Sequence, residues 1–461
     1  MKEYDIVIIG AGSGGLVAAT TAKRKGLKTA LIEKNKIGGE CTHYGCVPSK
    51  ALLNSAKMFE ATKRLSEKYG INGINISGNL DFGKVMEHVD SIVQGVYAGE
   101  TPDIFEKQGI DVFIEKDGAR FLDSNKMQIG DEIITFRYAV ICSGSSPKTI
   151  DIPGSDEVDF LHNENVWAIR ELPESIVFIG GGVISAEMGQ ALANFGSKVY
   201  IFDHNDEILK VLDDDAREII KSSFIKSGIA LITSADLKSF IKAGTRTTVT
   251  FQQNGKPKEI SADKIFLAMG RNPNIAGMDL EKAGIAYTEK GITTNEFLQT
   301  SNSAIYACGD VTTPAKFTHT ASHQANIVIK NILEGNTKKN DLSILPWAIF
   351  TDPEIAHVGF SEEQARQKFG NYIQVFKVEA TIDRFVTDGN TTGFLKVIFN
   401  EDNLVIGADA IGAHAGEWIQ LITLAIKNSI SAETMADTIF SYPTYSEIVK
   451  KAFTRFLRAK D

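Results

Sequence analysis

The feature that most restricts the fold of this 461-residue chain occurs twice. Near the N-terminus an apolar run, Tyr4-Asp5-Ile6-Val7-Ile8-Ile9, leads into Gly10-Ala11-Gly12-Ser13-Gly14-Gly15. A helix-forming stretch from Leu16 to Lys25 follows, then a second apolar run from Lys28 to Ile32 that ends in Glu33. The order returns at Ser175-Ile176-Val177-Phe178-Ile179, Gly180-Gly181-Gly182-Val183-Ile184-Ser185, a helix, and Lys198 to Phe202 ending in Asp203. Gly10 to Glu33 and Gly180 to Asp203 both span 23 residues. A strand, glycine turn, helix and strand closed by an acid bring backbone amides and a helix N-terminus to a pyrophosphate, with the acid on a ribose hydroxyl. The candidate contacts are Gly10, Gly12, Gly15 and Glu33 in the first copy, and Gly180, Gly182 and Asp203 in the second. Ser185, small enough for close helix–strand packing, stands where a third glycine is usual. Two dinucleotides on one α/β chain are implied.

Asp203 suits the free 2′-hydroxyl of NAD and repels the 2′-phosphate of NADP. No Lys or Arg follows until Lys210, so NADH is expected over NADPH. As a plain turn residue, Asp203 would carry no such preference.

Two of the four cysteines lie five apart in Gly38-Gly39-Glu40-Cys41-Thr42-His43-Tyr44-Gly45-Cys46-Val47-Pro48-Ser49-Lys50, just after the first nucleotide pattern. In a regular helix that spacing is a rise of roughly 7.5 Å, at the limit of about 7 Å for a disulfide. Gly45 and an irregular turn would close the gap, and a helix starting near Pro48 would aim its dipole at Cys46 and favour its thiolate. So few cysteines form no structural framework, which points to a reducing cytoplasm. With 49 basic against 58 acidic side chains, net −9, the chain has no basic footprint for nucleic acid. No apolar run approaches a membrane span. The eight histidines are scattered, so no metal site is expected.

The cysteine run resembles the active-site signature of the flavin-dependent pyridine nucleotide–disulfide oxidoreductases, such as dihydrolipoamide dehydrogenase, glutathione reductase and mercuric reductase, and further motifs match in the family's order across the chain. The resemblance implies an α/β fold of two nested Rossmann-like dinucleotide-binding domains plus a C-terminal α+β dimerisation domain. The divisions expected are 1–150 for the first part of the FAD-binding domain, 151–268 for the NAD-binding domain, 269–345 for the second FAD/central part, and 346–461 for the interface domain of a homodimer. It also implies FAD at the first site and NAD(H) at the second. Cys41 would exchange with substrate, Cys46 would lie against the flavin, and Lys50 would pair with Glu187 near it. Gly39, Ser143 and Gly144 before one interdomain crossing, Gly270 and Arg271 at the return crossing, and Asp310 in Ala307-Cys308-Gly309-Asp310 complete the cofactor contacts. Cys142 and Cys308 end apolar strands and read as packing thiols.

One departure is informative. In dihydrolipoamide dehydrogenase and glutathione reductase a His-Pro-Thr segment supplies the base that moves the substrate thiol's proton, oriented by a glutamate five residues on. Here the segment is Tyr442-Pro443-Thr444, with Glu447 kept. Tyrosine titrates near 10, so Tyr442 is a donor at neutral pH and a poor acceptor. Tyrosine at this place resembles mercuric reductases, yet their C-terminal cysteine pair is missing: no cysteine follows Cys308. The expected activity is therefore that of an NADH:disulfide, or related oxidant, oxidoreductase with a Cys41–Cys46 redox centre. Its substrate would be a small-molecule or protein disulfide. Dihydrolipoamide dehydrogenase and a redox sensor with vestigial catalysis are the alternatives.

Overall fold

The computed structural model describes residues 2–63, 70, 80–312 and 315–460, so Met1 and Asp461, the outer limits of the first and last expected domains, lie outside it. The strand Lys2–Ile9 lies inside a parallel sheet because its side chains are apolar on both faces: Ile6, Val7 and Ile8 are all fully buried. It pairs with Thr29–Glu33 on one side and Glu132–Ile141 on the other. Asp111–Ile114 extends the sheet beyond Thr29–Glu33, and an antiparallel flap of Lys126–Ile129 and Ala119–Phe121 extends it beyond Glu132–Ile141. Far along the chain, Ile305–Ala307 returns to pair in parallel with Glu132–Ile141, Ala307 opposite Ile141.

The helix Ser13–Arg24 begins three residues before the expected Leu16, because the glycine turn itself supplies its first turn. Gly15 has no alternative there, since a Cβ would lie 1.8 Å from the Gly10 carbonyl oxygen.

The second nucleotide unit is a parallel sheet in the order Ala230–Ile232, Lys198–Phe202, Ser175–Ile179, Lys264–Leu267, with the helix Val183–Phe195 following its glycine turn. An antiparallel sheet of Ala235–Ala243, Arg246–Gln253 and Lys256–Ala262 is inserted before its last strand, and the glycine pattern gives no sign of it. Its middle strand does alternate, burying Thr247, Val249 and Phe251. The exit from the first unit and the return to it, Ser145–Pro147 and Arg271–Pro273, pair with each other as an antiparallel link.

The C-terminal unit is a five-stranded antiparallel sheet in the order Trp347–Ile349, Glu354–Gly359, Val405–Gly412, Phe394–Phe399, Gln374–Glu379. The helix Glu447–Arg458 covers it through one stripe of Ile448, Val449, Ala452, Phe453 and Phe456, all buried. Among the described residues no helix is long and apolar enough to cross a membrane.

Candidate active site

Gly38 and Gly39 adopt positive φ of 100° and 59°, turning the chain into the short helix Gly39–His43 that carries Cys41. A Cβ on Gly39 would lie 2.7 Å from Gly12 Cα, so the cysteine loop presses directly on the first nucleotide turn. Gly45 ends this short helix and opens the next: its carbonyl accepts from Ser49 N at 3.0 Å. That helix is Cys46–Lys63, so it starts two residues before the expected Pro48 and places Cys46 itself at its N-terminus.

Both cysteines are thiols here, Cys41 half-buried and Cys46 exposed to the cavity. They titrate as one pair with opposite shifts. A hydrogen bond from Cys41 is the main cause that pushes Cys46 down to about 6; the Thr318 hydroxyl, 3.3 Å away, and the Lys50 ammonium assist against the opposing cost of burial. The same hydrogen bond, then burial, then the Cys46 charge, hold Cys41 far above the usual thiol range. The arrangement is a thiolate at residue 46 beside a protonated thiol at residue 41.

Lys50 lies one helical turn beyond Cys46, its Nζ 2.7 Å from Glu187 Oε2 and 4.5 Å from the Phe350 ring centre. Glu187 projects from the helix Val183–Phe195 and is 5% exposed; its Oε1 accepts from Phe350 N at 2.9 Å. One buried carboxylate thus joins all three units.

These groups share a cavity of about 1270 Å³ whose wall includes Gly10, Gly12, Glu33, Gly39, Ser143, Gly144, Arg271 and Asp310. Its volume exceeds the roughly 300–1,000 Å³ usual for a small-molecule site. Glu33 Oε2 accepts from Ala11 N at 2.8 Å, and Asp203 Oδ2 accepts from Gly181 N at 2.5 Å. Each acid therefore also braces the glycine turn it closes. Gly15 sits beneath the first turn, and the second turn, with Gly180 and Gly182, lies off the cavity wall that Val183, Ile184 and Glu187 reach. Ser143 Oγ donates to Asn274 O at 2.7 Å, and Gly270, with φ of +98°, turns the return segment so that Arg271 Nε reaches Ser145 Oγ at 2.7 Å. Asp310 Oδ2 accepts from that same Ser145 hydroxyl at 2.6 Å. The close glycine cradle of Gly10, Gly15 and Gly39, the acid Glu33 at the strand end and the cavity volume fit FAD in the first site.

The site also contains residues that motif reading passed over. Glu40 pairs with Arg271 and accepts from Asn163 Nδ2 at 2.8 Å. Burial pushes its carboxyl up to about 7 against the pull of Arg271. Thr318, which opens the helix Thr318–Glu334, and Phe350 are likewise brought in by tertiary packing. His319, next to Thr318, instead bonds Pro346 O at 2.9 Å.

Tyr442 and Glu447 stand apart within this chain, and neither lines the cavity. Tyr442 is 70% exposed and donates to Asp383 Oδ2 at 2.5 Å, whereas Glu447 Oε2 accepts from Thr444 N at 3.1 Å. Asp383, rather than Glu447, holds the Tyr442 hydroxyl within this chain, and that bond raises its pKa. Among the described residues no group of three or more His, Cys, Asp or Glu side chains would hold a metal ion.

The pattern of the pyridine nucleotide-disulphide oxidoreductases matches residues 4–325, and that of their dimerisation domain matches residues 345–453. The chain belongs to this family. It is a class I pyridine nucleotide–disulfide oxidoreductase, an FAD- and NAD(P)H-dependent enzyme. It is 33% identical to mercuric reductase of Staphylococcus aureus over 98% of this chain and 82% of that protein. It is 36% identical to dihydrolipoyl dehydrogenase of Geobacillus stearothermophilus over 98% of this chain and 95% of the other. Among solved structures it is similar to the Cu(II) complex of the HOCl-induced flavoprotein disulfide reductase RclA from Escherichia coli. The TM-score is 0.86 at 26% identity, covering 99% of this chain and 100% of that one.

Proposed function

We propose that this oxidoreductase passes electrons from NADH to an external disulfide, or a comparable oxidant, through Cys41 and Cys46. It would act as a homodimer in a reducing cytoplasm, on the mercuric-reductase-like side of its family and with the domain divisions given above. The observation that carries this reading is the thiol–thiolate pair at the wall of a dinucleotide cavity. Bound FAD supplies the two-electron link between nicotinamide and sulfur. Cys41 attacks the external disulfide, giving its proton up as one substrate thiol leaves. Cys46 thiolate then attacks the Cys41 sulfur, releasing the second substrate thiol and closing the Cys41–Cys46 disulfide. Lys50, fixed by Glu187, places positive charge beside these steps.

Preference for NADH rests on Asp203 and on the state of the next cation in sequence: Lys210 Nζ is 2.8 Å from Asp206 and so is already engaged. A lower NADPH Michaelis constant at equal turnover would reject it. Cys41→Ser should abolish disulfide turnover while NADH still bleaches the flavin absorbance; unchanged turnover removes Cys41 from the reaction. A panel of lipoamide, glutathione disulfide, small dithiol oxidants, quinones and Hg(II), with NADH as donor, identifies the acceptor.

Dihydrolipoamide oxidation is the second reading, favoured by the identity to dihydrolipoyl dehydrogenases along nearly the whole chain. Robust turnover of dihydrolipoamide with NAD⁺ would establish it over the first.

A further inference from the structure

The two cysteines outside the proposed reaction are neighbours. Cys142 follows Glu132–Ile141, and Cys308 follows Ile305–Ala307. These strands are parallel with Ala307 opposite Ile141, so the next residue of each stands side by side at the same end of the sheet. Their sulfurs are 3.4 Å apart. Adjacent strands lie about 4.8 Å apart, inside the roughly 4.4–6.8 Å between Cα atoms that a disulfide tolerates. Modest side-chain rotation therefore brings the sulfurs into bonding distance without moving the backbone. Both line the large cavity, Cys142 at 8% exposure and Cys308 at 1%. Cys308 Sγ packs against Gly14, where a Cβ would approach it to 3.4 Å.

We propose that Cys142 and Cys308 are a second redox site, forming a reversible disulfide when a small peroxide enters the cavity. The sulfur of Cys142, the more exposed of the two, attacks the peroxide. An S–O bond forms as the O–O bond breaks, and one water leaves. The sulfur of Cys308 then attacks that sulfenic sulfur, an S–S bond forms as the S–O bond breaks, and a second water leaves. Two thiols thus give two electrons to one peroxide, and their protons depart in the water. The hydrogen bond with Cys308 and then burial keep the Cys142 thiol well above its ordinary pKa. The pair therefore rests as two thiols and reacts more slowly than Cys46; its place on the cavity wall, almost wholly covered, admits small oxidants and excludes bulky disulfides.

The bond would clamp the exit from the first nucleotide unit to the segment that returns to it. Ser145 and Asp310, hydrogen-bonded at 2.6 Å, lie just beyond the two cysteines, so the clamp falls directly on the motif facing the flavin site. The whole second nucleotide unit would lie within the loop so closed.

The test uses the FAD-loaded wild-type enzyme with Cys41 and Cys46 oxidised. It is treated with hydrogen peroxide at a dose that consumes the same thiols in the urea-unfolded chain, then alkylated under denaturing conditions. The expected result is a fall from two free thiols to none, a loss of about 2 Da per chain, a mapped Cys142–Cys308 cross-linked peptide, and reversal by dithiothreitol. Cys142→Ala should leave one thiol and no cross-link while retaining NADH-dependent turnover. Two thiols still alkylatable after peroxide, oxidation to sulfinic acids without a cross-link, or a cross-link only between chains would overturn the proposal. These readouts concern thiol number and connectivity, so they stand apart from the identity of the electron acceptor.

Discussion

At the scale of single residues, the opposite shifts of Cys41 and Cys46 come chiefly from one hydrogen bond between them. Cys41 donates it, and Cys46 titrates near 6 because of it. In the NADH-reduced enzyme, alkylation of Cys46 by iodoacetamide should rise with pH to a plateau with a midpoint near 6. Cys41→Ala removes the largest cause of that shift, so the midpoint should climb toward the ordinary value of about 8.5. A midpoint that stays put in the variant would assign the low pKa to the helix N-terminus and Lys50 instead. Residue 442 makes a second case. Its hydroxyl is fixed on Asp383 and shifted further from the range of a useful base. Tyr442→Phe should therefore change NADH:disulfide turnover by less than about tenfold, well under the ~10²–10⁴ that loss of a general base costs. A loss of two orders of magnitude would return Tyr442 to the catalytic machinery.

At the scale of elements, what a glycine excludes depends on what it faces. Gly15 lies in the first turn of the helix Ser13–Arg24 and Gly26 just past its end, but of the two only Gly15 faces backbone: a Cβ there meets the Gly10 oxygen at 1.8 Å, whereas nothing lies within 4 Å of one on Gly26. Gly26→Ala should cost only the strain of its positive φ, roughly 1–2 kcal/mol. Gly15→Ala should cost more, through forced separation of helix from strand, and should leave the purified protein short of flavin. Thermal melts and visible absorbance of the two variants decide the point, and equal FAD content in both would show that the turn tolerates the separation. This contrast also explains what the sequence made readable. Glycine turns, closing acids and the Cys41–Cys46 spacing are local patterns whose chemistry depends on a few neighbours. The antiparallel insert 235–262 had only alternation in short strands, which a chain of mixed elements obscures. Glu40, Thr318 and Phe350 had no local signal, because folding brings them to Arg271, Cys46 and Glu187 from distant segments. The start of the helix at Cys46 rather than near Pro48 was hidden for a local reason. Pro48 suits a first turn that starts at either residue, and the backbone bond from Ser49 N to Gly45 O marks the earlier start.

At the scale of the whole molecule, the C-terminal unit is fastened to the second nucleotide unit by a row of charges. His357, Asp409 and Lys396 stand opposite one another on three adjacent strands. Lys396 is 4% exposed and reaches Asp213 Oδ2 at 2.5 Å and Asp215 Oδ1 at 3.2 Å in the nucleotide unit, with Glu362 at 3.7 Å and Asp409 at 3.8 Å in its own. His357 places Nδ1 2.8 Å from an Asp409 carboxylate oxygen and Nε2 3.0 Å from the Gly359 carbonyl. An ionised Asp409 and the Gly359 carbonyl only accept, so the two contacts favour the doubly protonated imidazolium. Burial opposes that charge, but the hydrogen bond and charge of Asp409 prevail, and its pKa is raised above the usual 6.5. A raised pKa in the folded state means that the stabilisation is complete below about pH 6.5, the unfolded value, and is lost as pH rises through the folded one. The difference in melting temperature between wild type and His357→Asn should therefore be greatest near pH 6 and shrink steadily on the alkaline side. Lys396→Met, by contrast, takes from Asp213 its cationic partner and leaves Asp215, Glu362 and Asp409 with only Lys377, Arg366 and His357. Its cost should be about 3–5 kcal/mol in denaturant unfolding, and it should narrow only where the carboxylates begin to protonate, below about pH 5. A His357→Asn difference that is flat from acid to alkali would mean that the ring is neutral and that the row is held together by Lys396 alone.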